Sequence, residues 1–181
     1  MNRQAAARVF TLLYMVEMDL PNRSREAAWH QWYANHIGKL LTVEGFHASQ
    51  RFLSRTPTPS PFLAIHDVEG PGVFESVSYK AVGGPSGTGE WQPLMTNWYR
   101  NLFDGIDRLP EVNTDQILVV LDEGAVAPAD LEGRVTWLSI AGLDRSAQHR
   151  GLLVLDTDAN ATAFAEIEGA RIFDPITGKF Q

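Results

Sequence analysis

Strand-length apolar runs alternate with a helix-length amphipathic segment early in the chain, and this alternation limits the fold more than any other feature. Residues 9–18 form a continuous run of apolar, aromatic and branched side chains, typical of a buried strand. Apolar residues then recur at helical spacing up to Val43, which predicts an amphipathic helix. Residues 46–55 and 62–68 flank a proline-rich turn, so we expect them to form a β-hairpin.

The same alternation continues through the middle of the chain. A second helix is expected at 71–82, and a closing strand is expected from about Trp98 to residue 106. Between them, residues 83–89 include four glycines and predict a plain linker, with a mobile lid over a cavity as the alternative. The predicted order of this half is β-α-β-β-α-β.

The second half of the chain resembles a shortened copy in element order, although no residue-level repeat supports the comparison. Three strands, a helix and a closing strand are expected at 116–121, 135–140, 151–155, 160–167 and 171–173, respectively. The sequence therefore predicts an α+β fold of two tandem units, residues 1–109 and 110–181. We expect their antiparallel sheets to pack face to face in one compact body, because a bare sheet face must be covered.

Composition excludes several classes of function. The net charge of −7, with 22 acidic and 15 basic residues and no basic run, opposes a phosphate backbone, so nucleic acid is not an expected partner. The chain has no cysteine, which excludes disulfides and thiolate catalysis and favours a cytoplasmic protein. Glu17 and Asp19 interrupt the first apolar run early, so we expect neither a secretory signal nor membrane association.

Three short segments carry a family resemblance. Residues 32–37 are WYANHI, residues 43–52 are VEGFHASQRF and residues 62–69 are FLAIHDVE. Together they resemble the dimeric α/β-barrel superfamily, especially its EthD-like and related small catabolic members. The resemblance covers residues 9–106. It implies ferredoxin-like units, an internal cavity for a small-molecule ligand and, as one arrangement, a homodimer. His47 departs from the pattern, since an apolar residue often follows Gly-Phe in such families.

That superfamily implies no single chemistry. It includes isomerases, cyclases, cofactor-free oxygenases, haem proteins and members with no known activity. A haem would need an axial histidine in a wide cavity, and this alternative stays open at the level of sequence.

The hairpin supplies the candidate catalytic residues. A turn centred in the proline-rich segment would place His47 opposite His66, on one face with Ser49 and Arg51. We expect this face to look into the space between the sheets, because the other face is apolar and suited to packing beneath helices. His47 or His66 would act as general base, the other histidine as acid, and Arg51 would hold a negative oxygen. A one-residue slip would separate the histidines, which leaves a solvated strand face as the alternative.

Further residues are expected to contact the substrate, all of them polar or aromatic side chains on the predicted elements: His36, Tyr33, Ser49, Tyr14, Trp91 and Trp98. For His36, the alternative is a hydrogen-bonded core histidine. For the aromatic residues, the alternative is ordinary core packing.

The leading functional interpretation is a cofactor-independent enzyme of small-molecule catabolism or secondary metabolism. No zinc, calcium or phosphate-loop motif and no nucleophile elbow is present, so we expect no metal and no tightly bound organic cofactor. The paired histidines suit isomerisation, cyclisation or decarboxylation of an aromatic or unsaturated acid. The alternative is a non-catalytic small-molecule-binding or accessory protein. A packed space between the sheets would favour the alternative, whereas a histidine-lined cavity of several hundred Å³ would favour an enzyme.

Overall fold

The computed structural model describes residues 11–156 and 161–181. Eight antiparallel strands close into a barrel, with short helices on its outside. The strands are β1 (Leu12–Asp19), β2 (Phe46–Ser54), β3 (Phe62–Val68), β4 (Thr96–Asp104), β5 (Gln116–Leu121), β6 (Thr136–Leu143), β7 (His149–Asp156) and β8 (Ala170–Pro175). The α-helices are α1 (Glu26–Leu40), α2 (Val77–Val82), α3 (Gly84–Gly87) and α4 (Ala161–Ala165), and 3₁₀ turns span Arg23–Arg25, Pro71–Glu75, Gly89–Leu94 and Glu132–Arg134.

The helical segments follow local capping signals. The Asn22 side chain accepts a hydrogen bond from the Ser24 backbone N–H and starts the 3₁₀ turn before α1. The segment predicted as one helix at 71–82 is divided, because Ser76 is extended and caps α2 through its hydroxyl, which accepts from the Tyr79 N–H. A helix over the whole of 71–82 is therefore wrong, since Ser76 starts a new one.

Strand order around the barrel joins the two halves of the chain. The order is β1-β3-β2-β8-β5-β7-β6-β4, and β4 pairs with β1 to close it. The α+β class and the antiparallel sheet are confirmed. Two separate sheets packed face to face are not observed, because the β2–β8 and β4–β6 pairs join all eight strands in one barrel. In each half of the chain the neighbouring strands follow the order fourth, first, third, second: β4-β1-β3-β2 and β8-β5-β7-β6. A division into two units at 109/110 remains our proposal.

Large apolar side chains fill the barrel interior. Phe52, Phe103 and Phe173 are fully buried there, together with aliphatic residues that include Met15 and Leu118. At the density of a protein interior such a cluster leaves little free space. The space in which we expected a ligand cavity is therefore packed.

Two other apolar layers lie outside the barrel. One packs α1 against the outer faces of β1 and β3, where Trp29 and Ile37 belong to the same buried cluster as Val16 and Ala64. The other packs Phe164 of α4 against the outer face of β5, β7 and β8. The protein thus has an apolar core within the barrel and a layer on each side of it.

The hairpin register differs from the prediction: beyond the start of β2, each residue pairs with a β3 residue two positions farther along the chain than expected. Ser49 lies opposite His66 and Arg51 lies opposite Ala64, in a register that is constant from Ala48 to Leu53. A β-bulge at His47 then shifts the pairing by one residue at Phe46. The predicted pairing of His47 with His66 is therefore wrong. The predicted direction of the polar face is also wrong: Ala64, next to Arg51, belongs to the layer beneath α1.

A buried ion-pair network closes one end of the barrel. Glu17 of β1 contacts Arg150 of β7 and Arg171 of β8, and Asp122 contacts both guanidinium groups from the solvent side. Burial opposes ionisation of Glu17, but the two guanidinium groups more than offset this, so its pKa lies below the usual value. The network links the two halves of the chain, and loss of one partner would leave a buried charge uncompensated.

Candidate functional site

A small aromatic-lined cavity lies between α1 and the outer face of β1 and β3. The chain from α2 to the start of β4 covers it. Its volume is ≈ 20 Å³, which is enough for about one water molecule. The lining residues are Tyr14, Val16, Met18, Trp32, Tyr33, His36, Leu40, His66, Tyr79, Gly84, Thr88, Met95 and Trp98.

His66 lies at the base of this cavity, near the middle of β3. It is 1% exposed, its Nδ1 lies 2.7 Å from the Ser49 hydroxyl, and its ring stacks on Tyr14 with centroids 5.3 Å apart. Burial lowers the pKa of His66 to about 3, with further lowering by His36 and Arg51. The imidazole is therefore neutral across the physiological range.

His36 approaches the same cavity from α1. Its ring stacks on Trp32, four residues earlier, with centroids 5.0 Å apart and planes at 11°. Burial lowers the pKa of His36 to about 4, and the nearby Lys39 adds to this effect. Among the described residues, histidine ring hydrogen bonds are made by His30 and His66, and the ring of His36 makes none. A neutral imidazole has one unprotonated ring nitrogen, so His36 brings a free acceptor to the site.

Tyrosine hydroxyls supply the remaining polar groups of the cavity. Burial raises the pKa of Tyr33 to about 12, and it also raises that of Tyr14, whose side chain is hydrogen-bonded to Tyr79. Both tyrosines therefore keep their proton at neutral pH and can donate hydrogen bonds. None of the described residues that line the cavity carries a carboxylate.

Arg51 lies beside the cavity without lining it. Its guanidinium packs over the rings of Tyr33 and Trp29, 4.0 Å and 4.7 Å from their centroids. Its Nη1 donates to Nδ1 of His30 at 3.0 Å, and Nε2 of His30 lies 3.3 Å from Glu26. Burial lowers the pKa of Arg51 to about 10, so it stays a cation at neutral pH.

One hydrogen-bonding group of Arg51 is unused. Its Nη2 is buried and has no partner among the described residues. Arg51 therefore places positive charge next to Tyr33, while the Tyr33 ring separates it from the cavity.

The structure brings together some of the predicted site residues and separates others. One cavity is lined by five of them: His66, His36, Tyr33, Tyr14 and Trp98. The Ser49 hydroxyl is hydrogen-bonded to Nδ1 of His66.

Trp91 and His47 lie away from the cavity. Trp91 is buried behind Trp32, with ring centroids 6.0 Å apart. His47 is exposed and lines a separate surface pocket with Asp67 and Lys179. His47 lies on the bulge and does not share the cavity of His66. The histidine that lines this cavity with His66 is His36.

Sequence reasoning missed several lining residues. Trp32 belongs to the WYANHI segment, and its spacing from His36 could have indicated a stacked pair on one helix face. Tyr79 and Thr88 carry no such signal, because the folding of the segment between β3 and β4 over α1 depends on tertiary packing. Gly84 also lines the cavity, so the glycine-rich segment forms part of its wall.

These groups together suit chemistry on a neutral or weakly acidic organic molecule. Two neutral imidazoles can accept or donate a proton, and tyrosine hydroxyls can bind an oxygen. Among the described residues no group of three or more His, Cys, Asp or Glu is placed to hold a metal ion. A wide cavity, which a haem would require, is absent from the described region around His36 and His66. No helix among the described residues has both the length and the apolar character needed to cross a membrane.

Comparisons with known proteins support the fold. No protein-family model matches the sequence, and no curated protein matches it significantly. A crystal structure of an anthrone oxidase-like protein is similar, with a TM-score of 0.62 and 11% identity over 94% of this chain and 92% of that chain. A candidate chlorite dismutase has a TM-score of 0.56 and 8% identity over 93% and 96% of the two chains. A candidate monooxygenase from Lactobacillus acidophilus NCFM has a TM-score of 0.53 and 5% identity over 92% and 93%. At these identities the likeness concerns the fold alone.

Proposed function

We propose that the protein is a cofactor-independent enzyme that removes a proton from an aromatic or unsaturated small molecule. The observation that carries this proposal is the meeting of two buried, neutral histidines, His66 and His36, at one aromatic-lined cavity. Aromatic walls suit a flat apolar substrate, and the few polar groups can orient its oxygen atom.

The hydrogen bond between Ser49 and His66 suggests a division of roles. If the Ser49 hydroxyl donates to Nδ1, the proton of His66 is on Nε2, and His66 can donate a hydrogen bond to a substrate oxygen. A neutral imidazole then stabilises the charge that develops on that oxygen. His36, with a free ring nitrogen, accepts the proton from carbon or from a phenol.

The names of the structural neighbours suggest a substrate class within this proposal. Anthrone is an aromatic ketone whose CH₂ group loses a proton to give a stable enolate. Molecular oxygen can then oxidise the enolate: one oxygen atom becomes the new carbonyl oxygen, and the other leaves as water with both hydrogens of the CH₂. The EthD-like resemblance is compatible with this class. We propose oxidation or isomerisation of such an enolate as the reaction, and we keep a homodimer and a cytoplasmic location as proposals.

A non-catalytic ligand-binding protein is the second candidate. The packed barrel interior and the cavity of ≈ 20 Å³ favour it, because a substrate enters only when part of the wall moves. Such a protein would bind an aromatic molecule at this site without exchanging its protons.

Proton exchange distinguishes the two candidates. The purified protein is mixed with anthrone or 2-tetralone in D₂O without oxygen, and loss of the acidic C–H signal is followed by NMR. Oxygen uptake with anthrone is measured separately. We expect His36→Gln to slow exchange by about 10²-fold or more, and His66→Gln to slow it because the oxygen loses its hydrogen-bond donor. His47→Gln is the matched control and should leave the rate unchanged. Binding without exchange would favour the second candidate, and equal rates in all three variants would contradict the proposed roles.

A further inference from the structure

A second pocket adjoins the histidine cavity and shares part of its wall. The outer pocket has a volume of ≈ 330 Å³, which falls within the range of small-molecule sites. Tyr79 and Gly84 line both spaces. Since Gly84 has no side chain, the Tyr79 ring is the side chain common to both walls, and its displacement would join the two spaces.

Aromatic contacts hold Tyr79 in the dividing position. Its ring stacks on Phe46 with centroids 5.8 Å apart and meets Phe74 edge-on at 5.1 Å. The Tyr79 side chain is also hydrogen-bonded to that of Tyr14. A flat aromatic ligand could make the same ring contacts with Phe46 and Phe74, so it could replace the Tyr79 ring without leaving these residues unpacked.

Gly83 makes room for the Tyr79 ring. A Cβ atom at Gly83 would lie 2.3 Å from Cε2 of Tyr79, which is closer than any real contact. The backbone of Gly83 has φ −108°, a conformation that other residues adopt freely. Gly83→Ala should therefore displace the tyrosine ring rather than strain the backbone.

Among the described residues that line the outer pocket, Arg100 is the cation with the fewest ionic contacts. Lys80 is paired with Glu75 at 2.8 Å. The Arg100 guanidinium has one long contact with Asp144, 3.4 Å, and that carboxylate already accepts the Arg100 backbone N–H at 2.8 Å. Most N–H groups of Arg100 therefore remain available for a planar anion.

We propose that the outer pocket is an anion subsite: Arg100 binds the carboxylate or phenolate of an aromatic acid whose rings displace Tyr79 and reach the histidine cavity. The part concerning the histidines rests on the proposed function, because it assumes that the reacting carbon lies near His36 and His66. The anion subsite itself rests on Arg100 and on the pocket that contains it.

Binding of 2-naphthoate tests the subsite, with the uncharged 2-naphthamide as matched ligand. Isothermal titration calorimetry on the full chain should show that Arg100→Gln weakens 2-naphthoate binding by about tenfold or more, because charge-assisted hydrogen bonds are lost. Binding of 2-naphthamide should change much less. Arg108→Gln removes the same charge at another pocket and should have no comparable effect.

Two glycine variants test the dividing role of Tyr79. Gly83→Ala should raise the association rate of 2-naphthoate several-fold, as measured by stopped-flow tryptophan fluorescence. Gly38→Ala adds the same methyl group where nothing lies within 4 Å and should leave the rate unchanged. Tyr79→Ala should act in the same direction as Gly83→Ala, which guards against a folding defect in one variant.

Failure of the subsite and failure of the proposed function give different results. The subsite would be overturned if 2-naphthoate did not bind, or if it bound the wild-type chain and Arg100→Gln with equal affinity. This holds even if His36→Gln slowed proton exchange. The expected responses of Arg100 and Gly83 variants, with exchange unaffected by His36→Gln, would support the subsite and contradict the proposed function.

Discussion

Acid should destabilise this protein through its two cavity histidines. An exposed histidine in the unfolded chain has a pKa of about 6.5, whereas burial lowers the pKa of His66 to about 3 and that of His36 to about 4. Because both folded values lie below the unfolded value, the unfolded chain binds more protons once the pH falls below about 6.5. The free energy of unfolding should therefore decrease from about pH 6.5 down to the folded pKa values.

The magnitude follows from the linkage relation. Each pKa unit corresponds to about 1.4 kcal/mol, so at about pH 5 each histidine should lower the free energy of unfolding by about 2 kcal/mol relative to pH 7.5. The two together should account for about 4 kcal/mol, a large part of the stability of an ordinary domain.

Urea unfolding measures this effect. The wild-type chain, His66→Gln, His36→Gln and the double variant are unfolded at about pH 7.5 and pH 5, with tryptophan fluorescence as the signal. Each single variant should lose about 2 kcal/mol less than wild type between the two pH values, and the double variant about 4 kcal/mol less. The comparison is made within each variant, so it holds even if a substitution lowers stability at both pH values. Equal losses in all four proteins would refute the claim that these histidines are buried and neutral.

Other substitutions test the barrel and its helices. Glu17→Gln should lower the free energy of unfolding by about 3 to 5 kcal/mol in urea titrations, because it leaves two buried guanidinium groups with one carboxylate; Asp122→Asn should cost less, since that side chain is 34% exposed. Gly105→Ala should cost about 2 kcal/mol or more by thermal unfolding, because φ is +126° and a Cβ would lie 2.7 Å from the Trp137 carbonyl oxygen. Gly38→Ala should instead stabilise helix α1 by about 0.5 to 1 kcal/mol. A stabilising Glu17→Gln or Gly105→Ala would contradict these contacts.

Local sequence signals determined much of the strand pattern. The run at 62–68 is mainly apolar and is bounded by Pro61 and Glu69, and β3 has the predicted bounds. β5 likewise coincides with its predicted run at 116–121. These segments are predictable because an apolar run of strand length must be buried, whatever the topology.

The candidate site was less predictable, because it depends on register and closure. Residue alternation does not fix where the proline-rich turn closes, and this closure places Ser49 opposite His66; the bulge at His47 shifts the pairing again at Phe46. Barrel closure then turns Phe52 inward with Phe173 and leaves Arg51 beneath α1. Both effects arise from tertiary packing, so residue alternation alone could not decide which face of β2 meets the ligand.

Imidazole NMR tests the location of the site most directly. Spectra that correlate ¹H and ¹⁵N of the histidine rings are recorded with and without 2-naphthoate, and signals are assigned from His36→Gln, His66→Gln and His47→Gln. The rings of His36 and His66 should shift together when the ligand binds, while the ring of His47 should not. Shifts at His47 with unchanged His36 and His66 signals would place ligand binding elsewhere and contradict the proposed site.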